Sequence, residues 1–378
     1  MNNGQRILTT HVGSLPRSKA VTDVVFAIEN GESAPDAESI IAKAVDDVVA
    51  RQVETGIDLV SDGEMSKISY ATYIKDRITG FDGDSERDPP SDLEEYPGFL
   101  MRQAQSGGTP SYRRPCCVGD ITVKDMGPVQ EDLENLRAAL GTHRPTGAFM
   151  NAASPGVIAL FQPNKHYASH EAYLEALADA MSHEYRAIVD AGIDLQLDSP
   201  DLGLGRHMLF KGKSDEEYQA LARLHVDALN HALDGIPRDK VRLHVCWGNY
   251  EGPHHHDAPM DMVLPIALRA NVGALLFESS NPRHAHEWEV FANAKLPDDL
   301  ILVPGVIDST TNFIEHPKLV AERICRFVDI VGFERVIAGT DCGFSTFAGF
   351  GAVDEDIVYA KLGSLVEGAR LATEKYRG

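Results

Sequence analysis

No part of this 378-residue chain holds an unbroken apolar run of the ~18 residues a membrane-spanning helix needs. The opening Met1-Asn2-Asn3-Gly4 has no apolar signal core, so a soluble, cytoplasmic protein is expected. Basic residues are in deficit, with 35 Lys plus Arg against 57 Asp plus Glu and a formal net charge of −22. A field of that sign repels phosphate backbones and anionic lipid surfaces, which argues against nucleic acid or a membrane as partner. A strongly anionic ligand would need a local basic pocket. Cysteine is scarce: five residues, an odd number in a long chain, suit reduced thiols better than a disulfide framework. Metal binding or catalysis is the better use for any cysteine that is special. Also missing is a Gly-x-Gly-x-x-Gly turn after any strand-like run, which counts against an open dinucleotide-binding sheet.

What is present is alternation. Eight short apolar runs begin near residues 7, 57, 147, 194, 241, 272, 300 and 335, separated by stretches of helical periodicity such as 19–29, 35–55, 169–191 and 215–233. Eight β/α units with continuously apolar strands predict an α/β fold, a single (β/α)8 TIM barrel spanning residues 1–378. Residues 81–124 break the rhythm with Asp88-Pro89-Pro90, Gly107-Gly108 and Cys116-Cys117. They read as an excursion between strands two and three, with a hairpin near 117–123 and a lid as the expected role, since long loops in compact domains are usually functional.

Function in such barrels sits at the C-terminal ends of the strands. Strand five, Val241 to Trp247, presents His244 and Cys246 two residues apart, a spacing that puts both on one face of a strand. Strand six ends at Glu278, and strand eight at Thr340-Asp341-Cys342-Gly343. One imidazole, two thiols and a carboxylate (His244, Cys246, Cys342 and Glu278) make a four-coordinate zinc set, and two thiolates favour zinc over harder ions. Cys325 lies in an apolar helix and reads as core; Cys116 and Cys117 remain unassigned.

Several stretches, in order along nearly the whole chain, resemble the catalytic C-terminal barrel of cobalamin-independent methionine synthase and its short single-barrel relatives. They are Thr9 to Pro16, Asp62-Gly63-Glu64, Asp198-Ser199-Pro200, His244-Val245-Cys246, Phe277-Glu278-Ser279, Pro304 to Asp308 and Gly339 to Gly343. The resemblance implies a zinc-dependent thiol methyl- or alkyltransferase in which the metal holds the thiol of homocysteine as a thiolate. It implies that Glu64 and Asp198 take the substrate ammonium, that the backbone of Val12, Gly13 and Ser14 takes its carboxylate, and that Asp308 belongs to the catalytic set. Where that family carries a proton-donating histidine two residues past this aspartate, the chain has Thr310, which cannot donate as an imidazolium does near neutral pH. The alkyl donor is therefore open: folate, methylcobalamin, an epoxide or another.

Three alternatives stand beside this reading. An epoxide:coenzyme M thiol transferase would share the metal but pair a sulfonate with the carboxylates of Glu64 and Asp198. A metallohydrolase would favour His and carboxylate ligands over two thiolates. A barrel of the decarboxylase kind would need no metal. His254-His255-His256 and Arg283 are candidates for a replacement acid or an anion contact. The partners expected are a small thiol and an alkyl donor, and the oligomeric state is open, a homo-oligomer being compatible.

Overall fold

Runs such as Ala274 to Phe277 have no polar face to offer solvent, so they are stable only where both sides of a sheet are covered. The computed structural model, which describes residues 4–86, 89–105 and 113–377, covers them. Eight parallel strands form one sheet: β1 (Leu8–Thr9), β2 (Leu59–Val60), β3 (Gly147–Ala153), β4 (Asp194–Asp198), β5 (Val241–His244), β6 (Ala274–Phe277), β7 (Ile301–Ile307) and β8 (Ile337–Thr340). The ladder runs from β1 through β8, β7, β6, β5, β4 and β3 to β2. It closes between β1 and β2 with side chains carrying much of the contact. The Asp58 carboxylate accepts from Thr9 N (2.9 Å) and from the Arg6 guanidinium, while Asp58 N donates to Thr9 O (3.2 Å). The expected barrel is thus borne out.

Helices follow the strands on the outside, and their ends are set by side chains. Ser214 and Glu217 form a reciprocal capping box at the start of Asp215–Ala232, and Ser169 accepts from Ala172 N at the start of His170–Asp190. A small apolar cluster fills the barrel interior, including Leu8, Leu59, Phe149, Leu276, Val303 and Ile337. Beside it lies a polar set. The buried Arg242 sits 3.9 Å over the Phe149 ring and donates to Thr10 Oγ1 and His11 O. Burial, partly offset by Asp194 and Asp198, pulls its pKa down to about 9, so it remains charged at neutral pH.

Three expectations need correction. Strand five ends at His244, not Trp247: Ser199 N still takes the His244 carbonyl (2.8 Å), but the next outward carbonyl, Cys246 O, is taken by Leu204 N (3.2 Å) from the turns after β4. Cys246 is therefore placed by loop contacts, not by strand alternation. The excursion does not form a hairpin at 117–123. Cys116–Cys117 pairs antiparallel with Phe81–Asp82, more than thirty residues earlier, a long-range partner that no local pattern announces. The same region also runs directly into a helix, Gly127–His143, that the periodicity reading passed over. Part of the excursion, Arg87-Asp88 and 106–112, lies outside the described residues.

β7 and β8 approach closely enough to require glycine. A Cβ on Gly305 would stand 2.5 Å from Asp341 Cα and 2.7 Å from Asp341 N, backbone atoms that cannot swing aside. Gly305→Ala is expected to destabilise the protein by about 1–3 kcal/mol, read as a lower urea midpoint at unchanged slope. A wild-type midpoint would show that the strands tolerate the extra methyl.

Candidate active site at the barrel rim

The site begins with Asp198, the last residue of β4. One carboxylate oxygen accepts from His244 Nδ1 (3.0 Å) and Gln196 Nε2 (3.1 Å), the other from Asn151 Nδ2 (2.8 Å). Asn151 and Gln196 each also donate to the Val12 carbonyl. The His244 ring is thereby fixed with Nδ1 turned to the carboxylate and Nε2 turned away, buried and without a partner. That is the arrangement by which an outer carboxylate orients a metal-binding imidazole.

Cys246 completes one side of the group. Val245 N donates to Leu276 O (3.0 Å) and Leu204 N to Cys246 O (3.2 Å), so the backbone is held on both flanks. Its sulfur lies 3.5 Å from Cys342 Sγ and accepts from Gly248 N (3.2 Å). A ligand atom from each of His244, Cys246 and Cys342 lies within 4.8 Å of the other two, and all three residues are buried. The Cys342 hydrogen bond and burial push the Cys246 thiol well up. At Cys342 the Cys246 contact favours the thiolate, but burial and the Glu278 charge leave it raised. Burial disfavours the cationic form of His244, and the Asp198 hydrogen bond and the nearby Cys246 and Glu278 more than compensate. Two soft sulfurs and an orphaned imidazole nitrogen, each costly to leave buried and unmatched, fit a zinc ion.

Glu278 stands beside this group rather than in it. Its carboxylate accepts from Trp247 N (2.8 Å) and Asn281 Nδ2 (2.7 Å). The loop that carries it is organised by Asp341, for which the sequence reading had no role. Asp341 accepts from the amides of Ser279, Ser280 and Asn281 and from the Ser280 hydroxyl. Burial and the neighbouring Glu278 charge push the Asp341 pKa up to about 7.

The residues expected to take the substrate's amino-acid end lie across the same mouth. Glu64 adopts a left-handed backbone, φ 59°, uncommon for a non-glycine residue. Two contacts hold its peptide: Asp62 Oδ1 accepts from Glu64 N (3.0 Å), and the Arg17 guanidinium donates to Glu64 O (2.7 Å). One oxygen of its buried carboxylate has no partner. Burial, against Lys67 and with Asp198, raises its pKa to about 7. Gly13 has φ 144°, and a Cβ there would strike the Asn151 amide. Asp308 is the hub of its own loop, accepting from Thr310 N and Oγ1 and from Thr311 Oγ1.

Val12, Ser14, Glu64, Asp198, His244, Cys246 and Cys342 share one cavity of about 700 Å³, with Thr310 on its wall. Its outer part is roofed by the excursion. Pro90, Leu93 and Gln103 line it, and Asp92 accepts from Tyr250 Oη (2.8 Å) and His254 N (2.9 Å). Gly13, Glu278 and Asp308 do not line the cavity themselves. Neither does the His254–His256 run nor Arg283, so neither stands where a replacement acid or anion contact is needed. His254 binds Asp257, and His255 and His256 both bond Glu95 of the excursion (2.8 and 2.6 Å).

A parallel barrel that gathers two thiols, an unpartnered imidazole nitrogen and two carboxylates at its mouth has the residues of an enzyme site able to hold a soft metal. The chain belongs to the family described as the cobalamin-independent synthase catalytic domain, which matches residues 7–369. Among its relatives, a 2-hydroxypropyl-CoM lyase of Xanthobacter autotrophicus is 28% identical, aligned over 97% of this chain and 94% of that protein. A methionine synthase of Saccharolobus solfataricus is 24% identical over 98% of this chain and 96% of its own length. A B12-independent methionine synthase from Shewanella sp. W3-18-1, solved with selenomethionine, superposes with a TM-score of 0.74 at 18% identity, covering 98% of this chain and 99% of that one.

Metal content tests the cluster. The purified protein is expected to carry about one zinc per chain, lost in Cys342→Ser and weakened ~10–100-fold in Glu278→Gln. Full zinc retention in Cys342→Ser would remove the assignment.

Proposed function

We propose that this protein is a zinc-dependent thiol methyl- or alkyltransferase with homocysteine as its acceptor. His244, Cys246 and Cys342 would hold the ion, and Glu278 at the edge of the group would complete the set as fourth ligand by turning from its partners Trp247 N and Asn281 Nδ2. A zinc ion so held keeps a substrate thiol ionised near neutral pH, where a free thiol, with a pKa of about 8.5, is mostly protonated.

The observation that carries the choice of thiol is the charge of the cavity wall. Its described lining holds the carboxylates of Glu64, Asp198 and Glu251, and no lysine or arginine. The cations near its floor are committed elsewhere: Arg17 to Glu64 O and Ser345 O, Lys67 to Asn151 O (2.6 Å), and Arg242 to Thr10 Oγ1 and His11 O. Such a wall suits an ammonium group, which the free oxygen of Glu64 can accept. The substrate carboxylate would fall to the Val12–Ser14 backbone.

The chain's residues then have separable tasks. Asp198 holds His244 in one orientation. Glu64 fixes the amino-acid end, and through it the direction in which the sulfur points. The excursion, as a roof, excludes water from the outer cavity, which strengthens each of these contacts.

Coenzyme M with an epoxide is the second reading, supported by the Xanthobacter relative. Its sulfonate would meet carboxylates where it needs a cation, and this places homocysteine first. A metallohydrolase ranks lower, because two thiolates make a bound metal a weaker acid for its water.

Two measurements test this. In a panel of thiols offered to the cobalt-substituted protein, homocysteine should give the sulfur-to-metal absorption change; a response to coenzyme M alone would reverse the order. The second is pH. Glu64 titrates near 7 in the free protein and binds an ammonium only as the carboxylate. Its contribution is present above that pH and lost as pH falls through it. Thus kcat/KM for homocysteine should drop below about pH 7, and Glu64→Gln should lower it ~10-fold or more at pH 8 while flattening that limb.

A further inference from the structure

The outer half of the cavity, where an alkyl donor must sit, is built of rings. Tyr70, Phe161, Phe313, Phe347 and Phe350 line it, with Tyr70 in edge contact with Phe161 (5.7 Å) and Phe347 (5.8 Å). Phe313 is 81% exposed, an unusual cost for a large apolar side chain at the mouth of a site. The formal charges on the described lining are negative, from Glu64, Asp198 and Glu251. Arg114 lies over the Phe161 ring, but its guanidinium is turned to the Phe161 carbonyl (3.4 Å) and does not line the cavity. Aromatic faces under a negative potential attract cations and leave a polyanion without a partner.

A second observation points the same way. The wall contributed after β7 is Thr310, Thr311, Asn312 and Phe313. The Thr310 and Thr311 hydroxyls both donate to Asp308, and neither residue type releases a proton near neutral pH. The Tyr250 hydroxyl is spent on Asp92 (2.8 Å), whose charge, with burial, keeps that phenol protonated. A donor that departs as an alkoxide or amide anion would find no acid among Thr310, Thr311 and Tyr250. One that departs neutral needs none.

We propose that the donor half of this cavity takes a small alkyl onium, a sulfonium or quaternary ammonium cation, and that Tyr70 and Phe347 select it. The proposal rests on the thiol-transferase reading above. The step balances without a proton. The thiolate sulfur forms a bond to the onium methyl carbon, the carbon–sulfur or carbon–nitrogen bond of the donor breaks, and its electron pair stays with the departing thioether or amine. One negative and one positive reactant give two neutral products. Charge is lost in the transition state, so a water-poor, low-dielectric cavity favours the step. A pterin with a polyglutamate tail would instead bring several negative charges against Glu251 and the rest of the acidic wall.

The test uses the full-length, zinc-loaded protein with homocysteine and four donors in parallel: trimethylsulfonium, choline, propylene oxide and a methylated pterin triglutamate. Thioether formation is read by mass spectrometry. Binding of trimethylsulfonium and of its neutral counterpart tert-butanol is read separately by ligand-observed NMR. The expected result is transfer from an onium and not from the epoxide or the pterin, and trimethylsulfonium bound about tenfold tighter than tert-butanol, the scale of a desolvated cation–π contact. The sulfonium and ammonium arms tell the two sources apart. Phe347→Leu should lower onium affinity several-fold while the cobalt-substituted variant keeps its absorption response to homocysteine, which shows that the fold and thiol site survive. Homocysteine binding with transfer only from epoxide or pterin, with no transfer from any donor, or with no preference for the cation, overturns the onium proposal and leaves the thiol reading standing. Absence of homocysteine binding in the wild-type protein overturns the thiol reading, and the donor proposal falls with it.

Discussion

The hydrogen bond between Asp198 and His244 is the contact on which the rest of the site depends. It spans two adjacent strands, and both residues are buried, so neither can turn to water instead. Gln196 and Asn151 hold the carboxylate from below and the Val12 carbonyl at the same time. One polar network therefore sets both the His244 imidazole and the β1 loop at Val12. Such a network is costly unless its members are matched, and this one is dense enough to specify a single arrangement. Two acceptors within it, Asn151 Oδ1 and Gln196 Oε1, are left open beside the cavity.

The barrel was legible because parallel strands buried on both faces must be apolar throughout. Leu195, Leu197, Leu243, Leu275 and Val303 announce themselves without help from their neighbours. The candidate metal group was legible for a related reason: His244, Cys246 and Cys342 follow or end such runs, where barrel chemistry is found. What stayed hidden depends on distant partners. Cys116–Cys117 pairs with Phe81–Asp82 across the excursion, and no local period encodes a ribbon of two residues. Asn151, Gln196 and Arg242 look like ordinary polar residues within a strand until closure places them inside the barrel. Asp341 was visible as part of a motif, yet its task of shaping the Ser279–Asn281 backbone follows only from proximity. Glu278 sits where the strand end put it, but the sequence could not show that Trp247 and Asn281 share its carboxylate.

The acidic excess of the chain acquires a local meaning at the cavity. A net charge of −22 could have been neutralised at the site by a few lysines. Instead the described wall repeats the sign of the whole, and the cations near its floor are committed elsewhere. The long-range field and the contact surface act on a ligand in the same direction. That sign favours cationic groups and opposes polyanions at both distances.

The closure of the barrel at Asp58 divides the molecule in a way the site follows. The ladder is continuous from β2 through β3 and round to β1, but between β1 and β2 side chains carry much of the contact: the Asp58 carboxylate on Thr9 N, the Thr10 hydroxyl on Leu59 O and the Ser61 hydroxyl on Gly13 O, beside two backbone bonds, Asp58 N to Thr9 O and Leu15 N to Gly63 O. Backbone held by few ladder bonds opens at lower free energy than backbone inside a sheet. The candidate metal group belongs to the continuous arc: His244 ends β5, Cys246 and Cys342 follow β5 and β8, and Asp198 ends β4. Val12, Ser14 and Glu64 hang from the two lips of the seam. On the proposed reading, the ion is held from the continuous arc and the amino-acid end from the seam, so the two ends of the substrate rest on differently supported parts of the barrel.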